Sequence, residues 1–252
     1  MTIKETYKLN NYQKEIIDAL YKFRFVNSDL LTTYLASSSR RIINSRLKIL
    51  LDHDFIGRLY DSSYKLSGKS AVYYLRPKSI AYLKTIDNIN NKVLLASYKD
   101  KSAKESIINH YQDVLTIYLK LADRYPKFKI YSKSSIRKLM DNAPDMMLTK
   151  DKTTTYLLDY YQDDITYRNL IVKVRRFIDY VDNLDQEAIK PTILIVCQSS
   201  SLQRKVTRLI KRELNNSYVY LTFLMITKNE LLSSQNELKW LNVEEDDGLV
   251  NF

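Results

Sequence analysis

Residues 27–57 leave the chain little freedom in how it can fold around them. Asn27 or Ser28 is placed to cap a short helix, and the apolar positions Leu30, Leu31, Tyr34 and Leu35 return on one face at helical spacing. The small residues Ala36 to Ser39 predict a turn. Beyond it, Ile43, Leu47, Leu50 and Leu51 form the apolar stripe of a second amphipathic helix, leaving Arg40, Arg41, Asn44, Arg46 and Lys48 largely on its other faces. Short helix, small-residue turn and amphipathic second helix together read as a helix-turn-helix. The donors of its second helix are suited to phosphates and base edges in a DNA major groove.

Any amphipathic helix of a basic protein carries Arg and Lys toward solvent, so the segment that follows has to decide the matter. Phe55 to Tyr60 and Ala71 to Leu75 read as two strands, and the loop between them, Asp61 to Ser70, holds Lys65, Gly68 and Lys69. A helix-turn-helix followed by a hairpin predicts a winged helix. Arg58, Lys65 and Lys69 would then contact backbone phosphates beside the groove.

Charge follows the same division. The chain of 252 residues carries 40 Lys and Arg against 29 Asp and Glu, a net of +11. Residues 1–90 hold fifteen Lys and Arg against eight Asp and Glu, or +7 of that surplus, as expected of a domain that approaches DNA by counterion release. Three glycines in the chain leave no Gly-rich phosphate loop or dinucleotide fingerprint, so ATP and NAD are not expected ligands. The single cysteine, Cys197, lies in the apolar run Ile193 to Cys197 and reads as a core filler, and it excludes an intrachain disulfide. With no secretory segment and no apolar run of membrane-spanning length, the expectation is a cytoplasmic protein without a membrane partner.

Along the chain, helices are predicted at Tyr12 to Phe23 and from Pro77, the latter burying Ile80, Ala81, Leu83 and Ile86. The polar residues 91–103 predict a linker between a winged-helix domain, 1–90, and an α/β domain, 104–240, with an acidic tail at 241–252 containing Glu244 to Asp247. A long helix from Lys104 to Tyr125 stops at Pro126. Strands are expected at Phe128 to Tyr131, Met146 to Leu148, Thr154 to Tyr161, Thr192 to Cys197 and, last, Val219 to Ile226. Helices at Tyr167 to Leu184 and Ser201 to Asn215 complete a mixed sheet with right-handed crossovers, giving an α+β chain overall.

In the second half, Pro144-Asp145 precedes a strand and Asp159 follows fourteen residues later, in Tyr156-Leu157-Leu158-Asp159-Tyr160-Tyr161. That order resembles the core of restriction-endonuclease-like proteins. The resemblance implies a magnesium ion held by Asp145 and Asp159 and a lysine two residues after the second acid. Tyr161 stands at that position, and the nearest substitute is Lys173 on the next helix. Tyr160 and Tyr161 do not make a relaxase nucleophile, because His53 and His110 cannot build the histidine metal site such chemistry uses. His110, beside Ile107 and Tyr111, reads as a packing residue.

The winged helix, Ile108-Asn109-His110-Tyr111-Gln112-Asp113-Val114, Pro144-Asp145, the strand ending near Asp159, and Lys173 leading into Phe177-Ile178-Asp179-Tyr180 together resemble the replication-relaxation family of plasmid and mobile-element proteins. The resemblance spans roughly residues 12–230. It implies a bacterial sequence-specific double-stranded DNA-binding protein, an accessory in plasmid replication, DNA relaxation or conjugative mobilisation. Its nuclease-like domain would serve self-association as a homodimer or contact with a relaxase or replication initiator, without a cofactor. Two alternatives stand beside it: a magnesium-dependent nickase using Asp145, Asp159 and Lys173, and a winged-helix transcriptional regulator.

Overall fold

Helix α1 (Asn11–Phe23) starts where Asn10 accepts a hydrogen bond from the Gln13 backbone N–H while the Gln13 side chain accepts from the Asn10 N–H, a reciprocal cap. The computed structural model describes residues 7–87, 89–136, 143–151, 153–185, 188–234, 237–244 and 249–250. The fold is mixed α/β and divides into two units, Met1–Leu119 and Lys120–Phe252. No described helix is long and apolar enough to cross a membrane.

In the first unit, Ile16, Ile17, Leu20 and Tyr21 of α1 are buried as their spacing predicts. Strand β1 (Val26–Asn27) leads into α2 (Ser28–Tyr34), capped by Asn27, whose side chain accepts from the Leu30 N–H at 2.9 Å. After a turn in which Ala36 adopts a positive φ of 46°, Ser39 caps α3 (Arg40–Asp52), which buries Ile43, Leu47 and Leu50. Strands β2 (Ile56–Leu59) and β3 (Val72–Leu75) pair antiparallel, Ile56 opposite Leu75 and Leu59 opposite Val72. Two features of this sheet escape the sequence pattern. β1 adds a third strand antiparallel to β3, and a short helix α4 (Ser62–Leu66) occupies the connection read as a loop.

Helix α5 (Pro77–Leu83) opens on its proline as predicted, but only Ile80 and Leu83 of its expected apolar face are buried. Ala81 is exposed on the outer side of the helix, and Ile86 is exposed because the helix stops at Leu83 and leaves it outside. The expected linker 91–103 is structured. Helix α6 (Asn91–Ser97) sends Leu94 into the same core as Ile16 and Leu47, and a 3₁₀ turn at Asp100–Ser102 buries Asp100 against Arg24. A polar average concealed one core leucine and one compensated charge. The division between units falls inside α7 (Glu105–Arg124), not before it.

Among the described residues, the second unit is built on a seven-stranded sheet. Its strands are β4 (Lys129–Ser132), β5 (Met146–Thr149), β6 (Thr155–Tyr161), β7 (Thr192–Cys197), β8 (Phe223–Thr227), β9 (Trp240–Asn242) and β10 (Leu249–Val250), in spatial order β10-β9-β8-β7-β6-β5-β4. β6, β7 and β8 run parallel, while the flanking pairs are antiparallel, so the sheet is mixed. Helix α8 (Lys133–Ile136) follows β4, and α11 (Lys228–Ser233) follows β8. Helices α9 (Tyr167–Asp182) and α10 (Ser200–Asn215) connect the parallel strands. The strand expected from Val219 begins only at Phe223, and it is not the last. Residues 241–252, expected as an acidic tail, contribute to β9 and β10, with 245–248 and 251–252 outside the described residues.

Leu157, Tyr161, Ile193, Ile195, Cys197, Phe223 and Met225 form one apolar face, packed against Leu170, Val174 and Phe177 of α9 and Leu202, Val206, Leu209 and Ile210 of α10. Cys197 is a buried free thiol there, pushed up by burial and far from nucleophilic, as a core filler should be. Alternation along β6 places Asp159, two residues from both Leu157 and Tyr161, on the face that α9 covers.

Candidate functional site

Helix α3 buries its Ile43–Leu47–Leu50 arc, so Arg40, Asn44 and Lys48, each one turn apart, share a neighbouring arc open to solvent. The β2–β3 hairpin stands opposite that arc. Between them lies a concavity of about 1190 Å³, lined by Arg40, Asn44 and Lys48 from α3, Arg58 from β2, and Lys65 and Lys69 from the hairpin connection. Six of the eight residues expected at a DNA surface therefore come together. Arg76 and Lys101 also line it. Neither stood out in the sequence: Arg76 is the residue after a strand, and Lys101 lay in the expected linker.

The other two expected residues are elsewhere. Arg41 is exposed but does not line the concavity. Arg46 is turned away on the flank of α3 nearest α1, its guanidinium stacked 3.9 Å from the Tyr12 ring centroid. At 100° per residue Arg46 falls about 200° from Asn44, so one helix face cannot present both. Periodicity could have separated them.

Several of the lining cations are held by acids of the same unit. Arg40 pairs with Asp29 at 2.9 Å and donates to the Ser28 hydroxyl at 3.1 Å. Arg76 pairs with Asp54 at 2.8 Å, and Lys69 with Glu105. Lys48 and Lys65 make no ion pair among the described residues. These pairs are exposed and worth little in water, so they set side-chain directions and can be exchanged for phosphate oxygens at small cost. Gly68, with φ 64°, lets the connection turn back toward β3 with nothing packed over it.

The second unit brings Asp145 and Asp159 together, as their spacing suggested. The Asp145 N–H donates to Asp159 Oδ1 at 3.1 Å, and the Tyr160 N–H donates to Asp145 Oδ2 at 3.1 Å. Both acids are buried, with 2% and 0% of their surfaces exposed. Lys173 reaches Asp159 Oδ2 at 3.5 Å from α9. Two further cations were not foreseen. Arg176, one turn after Lys173 on the same face of α9, donates to Asp159 Oδ2, and Lys133 lies 3.4 Å from Asp145 Oδ1. An arginine at the i+3 position from Lys173, next to the buried Phe177, was the signal available.

This donor set does not fit a divalent ion. Each of the four carboxylate oxygens already meets an N–H or a cation, and three positive side chains surround two negative ones. Burial raises the Asp159 carboxyl, but Arg176 and then Lys173 outweigh it and hold the group below the ordinary carboxylate range. At the position of the motif lysine, the buried Tyr161 hydroxyl has no hydrogen-bond partner among the described residues, and Lys173 lies over its ring at 4.8 Å. No group of three or more His, Cys, Asp or Glu suited to a metal occurs among the described residues. His110 is half-buried, its ring edge-on to Tyr111, in keeping with a packing role.

No family model, curated protein or solved structure matches this chain. The functional reading therefore rests on the two sites themselves.

Proposed function

We propose that the first unit is a winged helix that binds double-stranded DNA in a sequence-specific manner, with α3 in the major groove and the hairpin on adjacent phosphates. The observation that carries this reading is the single concavity lined by Arg40, Asn44, Lys48, Arg58, Lys65 and Lys69. A helix arc offering an asparagine between two cations can read base edges, and a hairpin carrying Lys65 and Lys69 can set register on the backbone. Arg46 takes no part in the proposed interface, because its guanidinium stacks on the Tyr12 ring.

On the resemblance of its sequence motifs to the replication-relaxation family, we further propose that the protein is an accessory of a plasmid or mobile element in replication, relaxation or mobilisation. The second unit then serves self-association or contact with a relaxase or replication initiator. It is not proposed to cut DNA, because Arg176, Lys173 and Lys133 take the place that a divalent ion would need.

Footprinting on the replication and transfer origins of the parent element, with and without magnesium, tests the reading. A protected site without strand cleavage is expected; magnesium-dependent cleavage would overturn the assignment of the second unit. Lys65→Gln with Lys69→Gln should weaken all DNA sequences alike and lower the salt dependence by about 2 in slope. Asn44→Ala should instead reduce discrimination between specific and random DNA by about 1–3 kcal/mol. Unchanged affinity in both variants would remove the winged-helix assignment.

A further inference from the structure

The chain carries +11, and residues 1–90 account for +7, leaving +4 for everything after residue 90. Helix α10 alone carries that +4, from Arg204, Lys205, Arg208, Lys211 and Arg212 against Glu213, so the rest of residues 91–252 sums to zero. A second concentration of positive charge therefore sits in the second unit, on one helix.

Its geometry is that of a surface. Leu202, Val206, Leu209, Ile210 and Glu213 take the buried arc of α10. Arg204, Arg208 and Lys211 recur at helical spacing on the opposite arc, with Lys205 and Arg212 flanking them. The one acid of the helix neutralises only the flank of this face, at Arg212. Glu213 is buried and accepts from Arg175 Nε at 2.6 Å and Arg212 Nε at 3.1 Å, while Arg212 also donates to the Tyr167 hydroxyl at 2.6 Å. Arg204, Lys205 and Arg208 are exposed and make no ion pair among the described residues. An exposed helix serving stability alone would intersperse signs at i,i+4, because like charges at that spacing repel. Arg204 and Arg208 stand at that spacing with no acid between them.

We infer that the outer face of α10 is a second DNA-binding surface, one that holds the phosphate backbone without reading sequence. Arg204 to Lys211 spans about 10 Å at 1.5 Å per residue, the rise of about three base pairs. Guanidinium groups predominate on it, and they match phosphate oxygens in a bidentate fork. A membrane surface is the poorer occupant, because a helix lying on lipid inserts its apolar arc and that of α10 is spent on the sheet. The inference stands on the second unit alone and survives if the reading of α3 fails.

The test uses the full chain and a random-sequence duplex. Arg204→Gln, Lys205→Gln and Arg208→Gln together should lower the slope of log affinity against log salt by about 2.7, so that between 50 and 200 mM salt the parent protein loses about 40-fold more affinity than the variant. The same three changes made in an Arg40→Ala, Lys48→Ala, Lys65→Ala background should lower the slope by the same amount, about 2.7. That background separates the two proposals, since it strips three of the concavity's cations and leaves α10 intact. An unchanged slope in both backgrounds overturns the inference. So does a variant that keeps its DNA affinity but loses binding to phosphatidylserine vesicles, which would make lipid the occupant. Should the triple variant melt early by circular dichroism, Arg208→Gln alone must still lower the slope by about 0.9.

Discussion

Replacing Arg176 with methionine isolates what the cation does for the buried carboxylates. Asp159 is fully buried, and the Arg176 side chain is only 13% exposed, so the pair is poorly screened by solvent. Removing one partner of such a pair costs about 3–5 kcal/mol, because the remaining charge stays buried without its counterion. Lys173 remains 3.5 Å from Asp159 Oδ2 and partly compensates, which places the expected loss at about 3 kcal/mol. That is a large share of the stability of a typical domain. Trp240 is the chain's one tryptophan and is fully buried in the second unit, so its fluorescence reports urea unfolding of that unit. A loss of about 3 kcal/mol should move the midpoint down by about 1–3 M urea.

The pH dependence has a definite sign. In the parent protein the Asp159 carboxyl is held below its unfolded value, so its contribution is present above the unfolded pKa and fades as pH falls through the folded one. Without Arg176 the largest cause opposing burial is gone, so the folded pKa rises and the carboxyl can escape part of its penalty by binding a proton as pH falls. The gap between parent and variant should therefore be widest at pH 7 and narrow toward pH 4.5. Adding Asp159→Asn to the variant should recover part of the loss. A cost under about 1 kcal/mol, or a gap that stays constant with pH, would refute the claim that Arg176 neutralises the buried Asp159 carboxylate.

Two predictions concern the first unit. A Cβ at Gly57 would fall 2.2 Å from Cζ of Tyr74, its cross-strand partner, so Gly57→Ala must displace a buried ring; a loss of about 1–3 kcal/mol in thermal unfolding is expected, and a neutral result would show that the ring is not held there. Burial raises the Asp100 carboxyl to about 6 despite Arg24, whose Nε donates to it at 2.7 Å. The folded state thus binds this proton more tightly than the unfolded chain. The stability of the first unit should fall by about 3 kcal/mol from this group as pH rises from about 4 to about 6. Asp100→Asn should lack that component when the two pH profiles from denaturant unfolding are subtracted; identical profiles would exclude it.

Elements with a strong period were legible in the sequence because one buried arc determines both their type and their orientation. Helix α3 follows from Ile43, Leu47 and Leu50, β7 from its unbroken apolar run, and the proline start of α5 from Pro77. Residues 91–103 were not legible, because a helix that contributes one leucine to a core looks polar on average. The strand β1 was not legible either, since two residues carry no period, and its existence depends on β3 offering a free edge. At the candidate sites, residue types came through better than their company. Asp145, Asp159 and Lys173 were identified together, but Arg176 and Lys133 were not, because neither belongs to a spacing that chemistry requires.

What the sequence determined by itself is the local part: two helices joined by a short turn within 27–57, an antiparallel strand pair after them, and an alternation of strands and helices in the second half. These follow from periodicity, caps and turn residues, which act over a few positions. Only the tertiary structure decided which charges share a surface. It turned Arg46 onto Tyr12 and brought Lys101 from a supposed linker to the concavity. It also set three cations around two carboxylates that the sequence alone would have offered to a metal. Electrostatic partners are chosen by distance in space, and the sequence separations involved, 12 residues for Lys133 and Asp145 and 17 for Arg176 and Asp159, are too long for any local rule to reach.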